Sequence, residues 1–108
     1  MFDKPKSTAI RKGINMMLNG RYGEVQVLEL DSKLQRIDLK LQLNGESEVV
    51  DIVIGQYEVN DQDPEQPVII LHNIEISRPW MQELANDHVE GKIFDIPPKM
   101  SGMIKLVL

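Results

Sequence analysis

The stretch IDLKLQLNGESEVVDIVIG, Ile37–Gly55, decides the fold. Ile37, Leu39, Leu41 and Leu43 alternate with Asp38, Lys40 and Gln42, and beyond a polar break Val50, Ile52 and Ile54 resume the alternation. A period of two sends successive side chains to opposite faces, so each half predicts a strand with one apolar face. Asn44-Gly45 marks the turn. Charge selects the register. A tight Asn-Gly turn would set Leu41 opposite Glu48 and Asp38 opposite Asp51. A loop over 44–47 instead sets Leu41 opposite Val50, Leu39 opposite Ile52, Ile37 opposite Ile54 and Lys40 opposite Asp51. Like charges face to face destabilise, whereas apolar and opposite-charge pairs each contribute about 0.2–1 kcal/mol, so the longer loop is expected. The same logic, with a turn near Lys33, sets Leu28 opposite Ile37 and Glu29 opposite Arg36, which makes GEVQVLELD (23–31) the preceding strand.

Upstream, STAIRKGINMMLNG predicts a helix over 7–19. Ser7 is placed to cap it, because a hydroxyl accepts a first-turn N–H. Ile10, Ile14, Met17 and Leu18 share one helical face, and Gly20 suits a left-handed stop. Gly13 weakens the interior by up to about 1 kcal/mol, a loss that close approach to a sheet would explain. Downstream, NDQDPEQP (60–67) is a loop by composition, and PVIILHNIEIS supplies a fourth strand. SRPWMQELANDHVEG predicts a helix over 77–90, with Ser77 as cap, Pro79 in the first turn and Gly91 at the end. In the tail, Met100, Met103, Ile104 and Val107 suit a helix, while Ile104, Leu106 and Leu108 suit a strand. Short connections favour antiparallel pairing. The expectation is one α+β domain over 1–108: an N-terminal helix, a four-stranded antiparallel meander over 24–76, a second helix packed on the sheet, and a short helix or strand over 97–108.

The 108 residues carry a net charge of -5, a pI near 4.9 and no cysteine. A chain of this length buries roughly two-thirds of its unfolded surface, enough for a core without metals or disulfides. The missing cysteines remove disulfides, thiolate zinc sites and cysteine nucleophiles. No apolar run resembles a signal peptide or reaches the ~18 residues of a membrane span, so a cytoplasmic location is expected and a membrane is not. Net negative charge disfavours nucleic acid as a partner. Residues 1–22 hold Lys4, Lys6, Arg11, Lys12 and Arg21 against Asp3, a net of +4 that leaves -9 for the rest of a chain at -5. The basic helix has no aromatic membrane anchor within it, and docking against the acidic body is the simpler expectation.

One face of the four strands carries Leu28, Leu30, Ile37, Leu39, Leu41, Leu43, Val50, Ile52 and Ile54, and two helices suffice to cover it. The other face should be polar if it meets water. With regular strands it instead receives Val25, Val27, Val49, Val53, Tyr57 and Val59. Apolar patches of that size mark a contact, and the tail, a second subunit or a small apolar ligand would serve as occupant. A bulge near Val27-Leu28 would turn some of these residues inward and shrink the patch.

Motifs for chemistry are weak. His72 and His88, with Glu75 or Asp87, have no metal-ligand spacing. Asp61, Asp63 and Glu65 alternate in a loop but lack the glycine and distal glutamate of a calcium site, and Pro64 interrupts them. Ser77 and Ser101 have no nucleophile-elbow glycines. The glycines of Gly20–Gly23 lie between a helix and a strand, the reverse of a phosphate-binding loop. No catalytic, cofactor or metal residue is therefore named. Trp80 either anchors its helix on the sheet or serves as an exposed contact hot spot. Six methionines suit adaptable apolar packing. These features point to a non-enzymatic interaction module that forms a homodimer, or binds another protein, through Val25, Val27, Val53, Tyr57 and Val59, with Trp80 as a secondary contact. The alternatives are a carrier of a small apolar ligand or lipid, and an enzyme with an unrecognised carboxylate site.

Overall fold

In the computed structural model, which describes residues 4–60, 62–63 and 65–96, the alternation across Ile37–Gly55 forms neighbouring strands of a five-stranded antiparallel sheet. The elements are α1 (Lys4–Leu18), β1 (Gly23–Asp31), β2 (Arg36–Leu43), β3 (Val49–Asn60), β4 (Val68–Ile76), α2 (Pro79–His88) and β5 (Ile93–Asp95). Spatial order follows chain order, as short connections require. The architecture is α+β, with one strand more than the sequence suggested. The tail over 97–108, expected as a helix or a strand, lies outside the described residues.

The β2–β3 register is the one charge selects: Leu41 faces Val50, Leu39 faces Ile52, Ile37 faces Ile54, and Lys40 faces Asp51. The β1–β2 register differs from expectation by two residues. Leu30, not Leu28, faces Ile37, and Glu29 faces Asp38. A side chain overrides charge here. Asp31 Oδ1 accepts the N–H groups of Lys33 at 3.0 Å and Leu34 at 3.1 Å, which fixes the turn one step further along. The Glu29–Asp38 opposition is eased because Arg36 donates to Asp38 at 3.1 Å.

Both helices lie on one face of the sheet. α1 packs over β1, and α2 packs over β4. The core joins Ile10 of α1 to Val25, Leu28, Leu30, Ile37, Ile54 and Tyr57. On the α2 side Ile76, which faces Ile52 across the ladder, lines a groove together with Met81 and Ala85. The helices also close the sheet's margins, where unpaired backbone groups would otherwise invite another strand. Ser7, expected as a cap, lies inside α1, which begins at Lys4; its buried Oγ accepts the Leu30 N–H at 2.8 Å. Asn15 accepts the Val25 N–H at 2.7 Å and donates to the Val25 carbonyl at 3.1 Å. At the other margin Gln82 accepts the Ile76 N–H at 2.7 Å and donates to the Ile74 carbonyl at 2.8 Å. Ser77 does not cap α2 either. Its Oγ accepts the Asp51 N–H at 3.0 Å, and Arg78 takes the capping position without a side-chain hydrogen bond to the helix; its guanidinium donates to Glu46 instead.

Two irregularities decide which residues reach the core. Between Val25 and Val27 the β1–β2 register shifts, a bulge that places Gln26 as the extra residue. Val25 therefore faces Leu41 and points inward, while Val27 faces Lys40 and points outward. The second irregularity is a kink at Gly55 and Asn73. Asn73 has φ 56, in the left-handed region, and a Cβ on Gly55 would lie 2.8 Å from the Asn73 Cβ. The β3–β4 register continues through it, with Ile54 opposite Ile74 and Tyr57 opposite Leu71. Both strands change face together: Ile52 and Ile54 are inward before the kink, Tyr57 and Val59 after it.

Candidate functional site

These irregularities redistribute the six residues expected to form a contact. Val25 is 2% exposed and Tyr57 5% exposed, so both belong to the core. Val59 is half-buried and packs against that core. Only Val27 and Val53 remain on the outer face, with Val49 nearby. Across the strands Val53 stands between Asp38 and Glu75, and Asp38 in turn faces Glu29. One row away, Lys40 donates to Asp51 at 2.7 Å. The outer face thus carries charged side chains around isolated valines, with Val53 between two carboxylates and Val27 opposite Lys40. The expected continuous apolar sheet surface does not form, because the bulge and the kink turn three of its members inward.

The sixth residue, Trp80, is 55% exposed, and Leu84, one helical turn on, is 50% exposed. Large apolar side chains at i and i+4 share one helix face. Below them Ile76, Met81, Ala85, His88 and Val89 complete an open groove of about 390 Å³ whose walls are almost wholly apolar. Local sequence explains the exposure. α2 spends its inward positions on Ala85, buried against the sheet, and on Gln82, which holds the β4 margin. Trp80 and Leu84 are left on an exposed flank of a ten-residue helix. Trp80 is therefore largely exposed and does not anchor its helix on the sheet.

A second cluster surrounds the kink. Glu90 accepts the N–H groups of Asn73 and Ile74, each at 2.9 Å, because the left-handed turn at Asn73 aims two successive amides at one point. His72 Nε2 lies 3.1 Å from Glu58, and its Nδ1 lies 3.9 Å from Glu90. These contacts tie the segment after α2 to the sheet. They sit at the surface rather than in a cleft. Among the described residues no three His, Asp or Glu side chains converge as a metal site would need. In the acidic loop Asp63 Oδ1 accepts the Glu65 N–H at 3.0 Å, a local turn contact.

Titration follows geometry. Asp31 lies below its ordinary value of 3.8 because the Leu34 N–H above all, with the Lys33 N–H adding to it, stabilises its carboxylate against the opposing effect of burial. Hydrogen bonding to Asp38 raises Arg36, and hydrogen bonding to Asp51 raises Lys40. All three are structural pairs at the turn or on the charged face. None lines the α2 groove. No helix among the described residues is long and apolar enough to cross a membrane.

Comparison with protein-family models, with curated proteins and with solved structures returns no match.

Proposed function

We propose that this chain is a small non-enzymatic interaction module that self-associates, and that its contact is the exposed side of α2 with Trp80 at the centre. The observation that carries the proposal is the paired exposure of Trp80 and Leu84 above an apolar groove. Tryptophan is among the residues enriched at binding hot spots, where a large ring fills a desolvated pocket. The outer sheet face is the weaker candidate, since two copies meeting there would bring rows of Glu29, Asp38 and Glu75 together. Cyclic two-fold dimers are the commonest oligomers, and both copies then use the same surface.

Sedimentation velocity at micromolar concentration tests the proposal. The wild-type chain should sediment as a dimer, and Trp80→Glu and Leu84→Lys should each sediment as a monomer with an unchanged circular dichroism spectrum. Trp80 fluorescence should shift to the blue as concentration rises. A wild-type monomer throughout, or a Trp80→Glu variant that remains dimeric, rejects the α2 contact. Release of a bound lipid on denaturation, seen by native mass spectrometry, would place a ligand in the groove instead of a second chain.

A further inference from the structure

We infer that the surface seated on α2 is α1 of a second copy, across a two-fold axis running within the interface, so that each chain offers its basic helix and receives its partner's. The inference rests on the proposed α2 contact and names its other half. Area is the first argument. A stable interface buries roughly 800 Å² per partner. α2 has ten residues and is about 15 Å long, too short to supply that area against another α2 alone. α1 has fifteen residues and is about 22 Å long. The two helices stand on the same face of the sheet, α1 at the β1 end and α2 at the β4 end, and make no contact with each other. Two copies meeting through these faces bury both helices twice.

Charge chooses between the two ways of meeting. Two copies meeting face to face can set α1 on α1 and α2 on α2, or each α1 on the partner's α2. α1 holds Lys4, Lys6, Arg11 and Lys12 and no acidic residue. α2 holds Glu83 and Asp87, with His88 its sole basic group. The first arrangement gathers eight cations on one seam; the second sets opposite charges face to face. Glu83, Asp87 and Lys12 enter no ion pair among the described residues and are exposed.

Shape and side-chain chemistry agree with the second arrangement. Met16 is 72% exposed one turn from Lys12, as Leu84 is one turn from Trp80. A thioether against an indole is a favourable contact, and methionine adapts to an irregular groove. Beside Met16, a hollow of about 500 Å³ is lined by Arg11, Lys12, Asn15 and Glu24, two cations against one acid, as a site receiving Glu83 or Asp87 requires.

A charge exchange decides the matter. One variant carries Arg11→Glu and Lys12→Glu; the other carries Glu83→Lys and Asp87→Lys. Each alone should lose at least about tenfold in dimer affinity, because reversal turns exposed attractions into repulsions at both seams. Mixed, they should form a heterodimer close to wild-type affinity, since every basic helix again meets an acidic one. Sedimentation equilibrium reads all three, with circular dichroism verifying folding. Lys12→Glu with Glu83→Lys, both exposed positions, replaces the pair if Arg11→Glu disturbs α1. If the α1 variant dimerises as tightly as wild type while Trp80→Glu is monomeric, α1 is not the partner surface and the α2 contact stands. A Trp80→Glu variant that stays dimeric removes both.

Discussion

Replacing Gly55 with alanine tests the feature that sets the inside and outside of the sheet. The new methyl would stand 2.8 Å from the Asn73 Cβ and 3.1 Å from the Asn73 carbonyl oxygen. Carbon atoms in contact prefer about 3.5–4.0 Å, so either the two strands separate or Asn73 leaves its left-handed conformation. Forcing a methyl into a packed position costs about 1–3 kcal/mol, and the stiffer unfolded chain returns about 0.4–1 kcal/mol. The expected net loss is about 1–2 kcal/mol, read as a fall in Tm of about 5–15 °C for a domain of this size. Urea denaturation followed by circular dichroism gives the same quantity from the midpoint. Asn73→Gly, made in the Gly55→Ala background, removes the opposing Cβ and accepts the positive φ without strain. The double variant should therefore recover at least half of the loss, a coupling that independent sites do not show. A Gly55→Ala chain as stable as wild type, or a double variant whose effects simply add, would refute the role given to this kink. Binding of a fluorescent apolar dye should rise in the single variant as Tyr57 and Val59 lose their inward positions.

Two other outcomes follow from named contacts. Ser7→Ala leaves the buried Leu30 N–H without its acceptor and should cost about 1–3 kcal/mol by chemical denaturation, with faster amide exchange at Leu30, while Thr8→Ala on the exposed side changes little. Asp31 has a folded pKa below 3.8, so it adds stability above that pH and loses it as pH falls through its folded value. Asp31→Asn keeps an acceptor for the turn but not the charge, and should flatten stability against pH below about 4, a comparison made by denaturation at stepped pH.

Much of this fold was legible in the ribbon from Ile37 to Gly55. Its alternation named two strands, and its charges named their pairing against the usual preference of Asn-Gly for a tight turn. Both helices were visible from periodicity, Pro79 and the closing glycines. The β1–β2 pairing departs from the one charge favours because the short side chain of Asp31 holds the turn by its own hydrogen bonds. The caps differ for a related reason: Ser7 and Ser77 have hydroxyls suited to helix starts, yet both serve strands. The contact surface was hardest to read. A period of two assigns faces only while strands stay regular, and one shift at Gln26 or Gly55 reverses every assignment beyond it. Gly55, an isolated glycine within a β pattern, was the signal present in the sequence. β5 has three residues and too little pattern to announce itself.

The margins of the sheet are held by borrowed groups: Ser7, Asn15 and Gln82 belong to helices, and Glu90 to the segment just after one. The seal lasts only as long as those helices stay seated. A brief detachment of α2, with the strands intact, bares the Ile74 and Ile76 backbone as a template for intermolecular strand growth. Fibril formation should then track the lifting of a helix rather than global unfolding, and a mate clasping α2 would slow nucleation while leaving the intrinsic stability of the isolated chain unchanged.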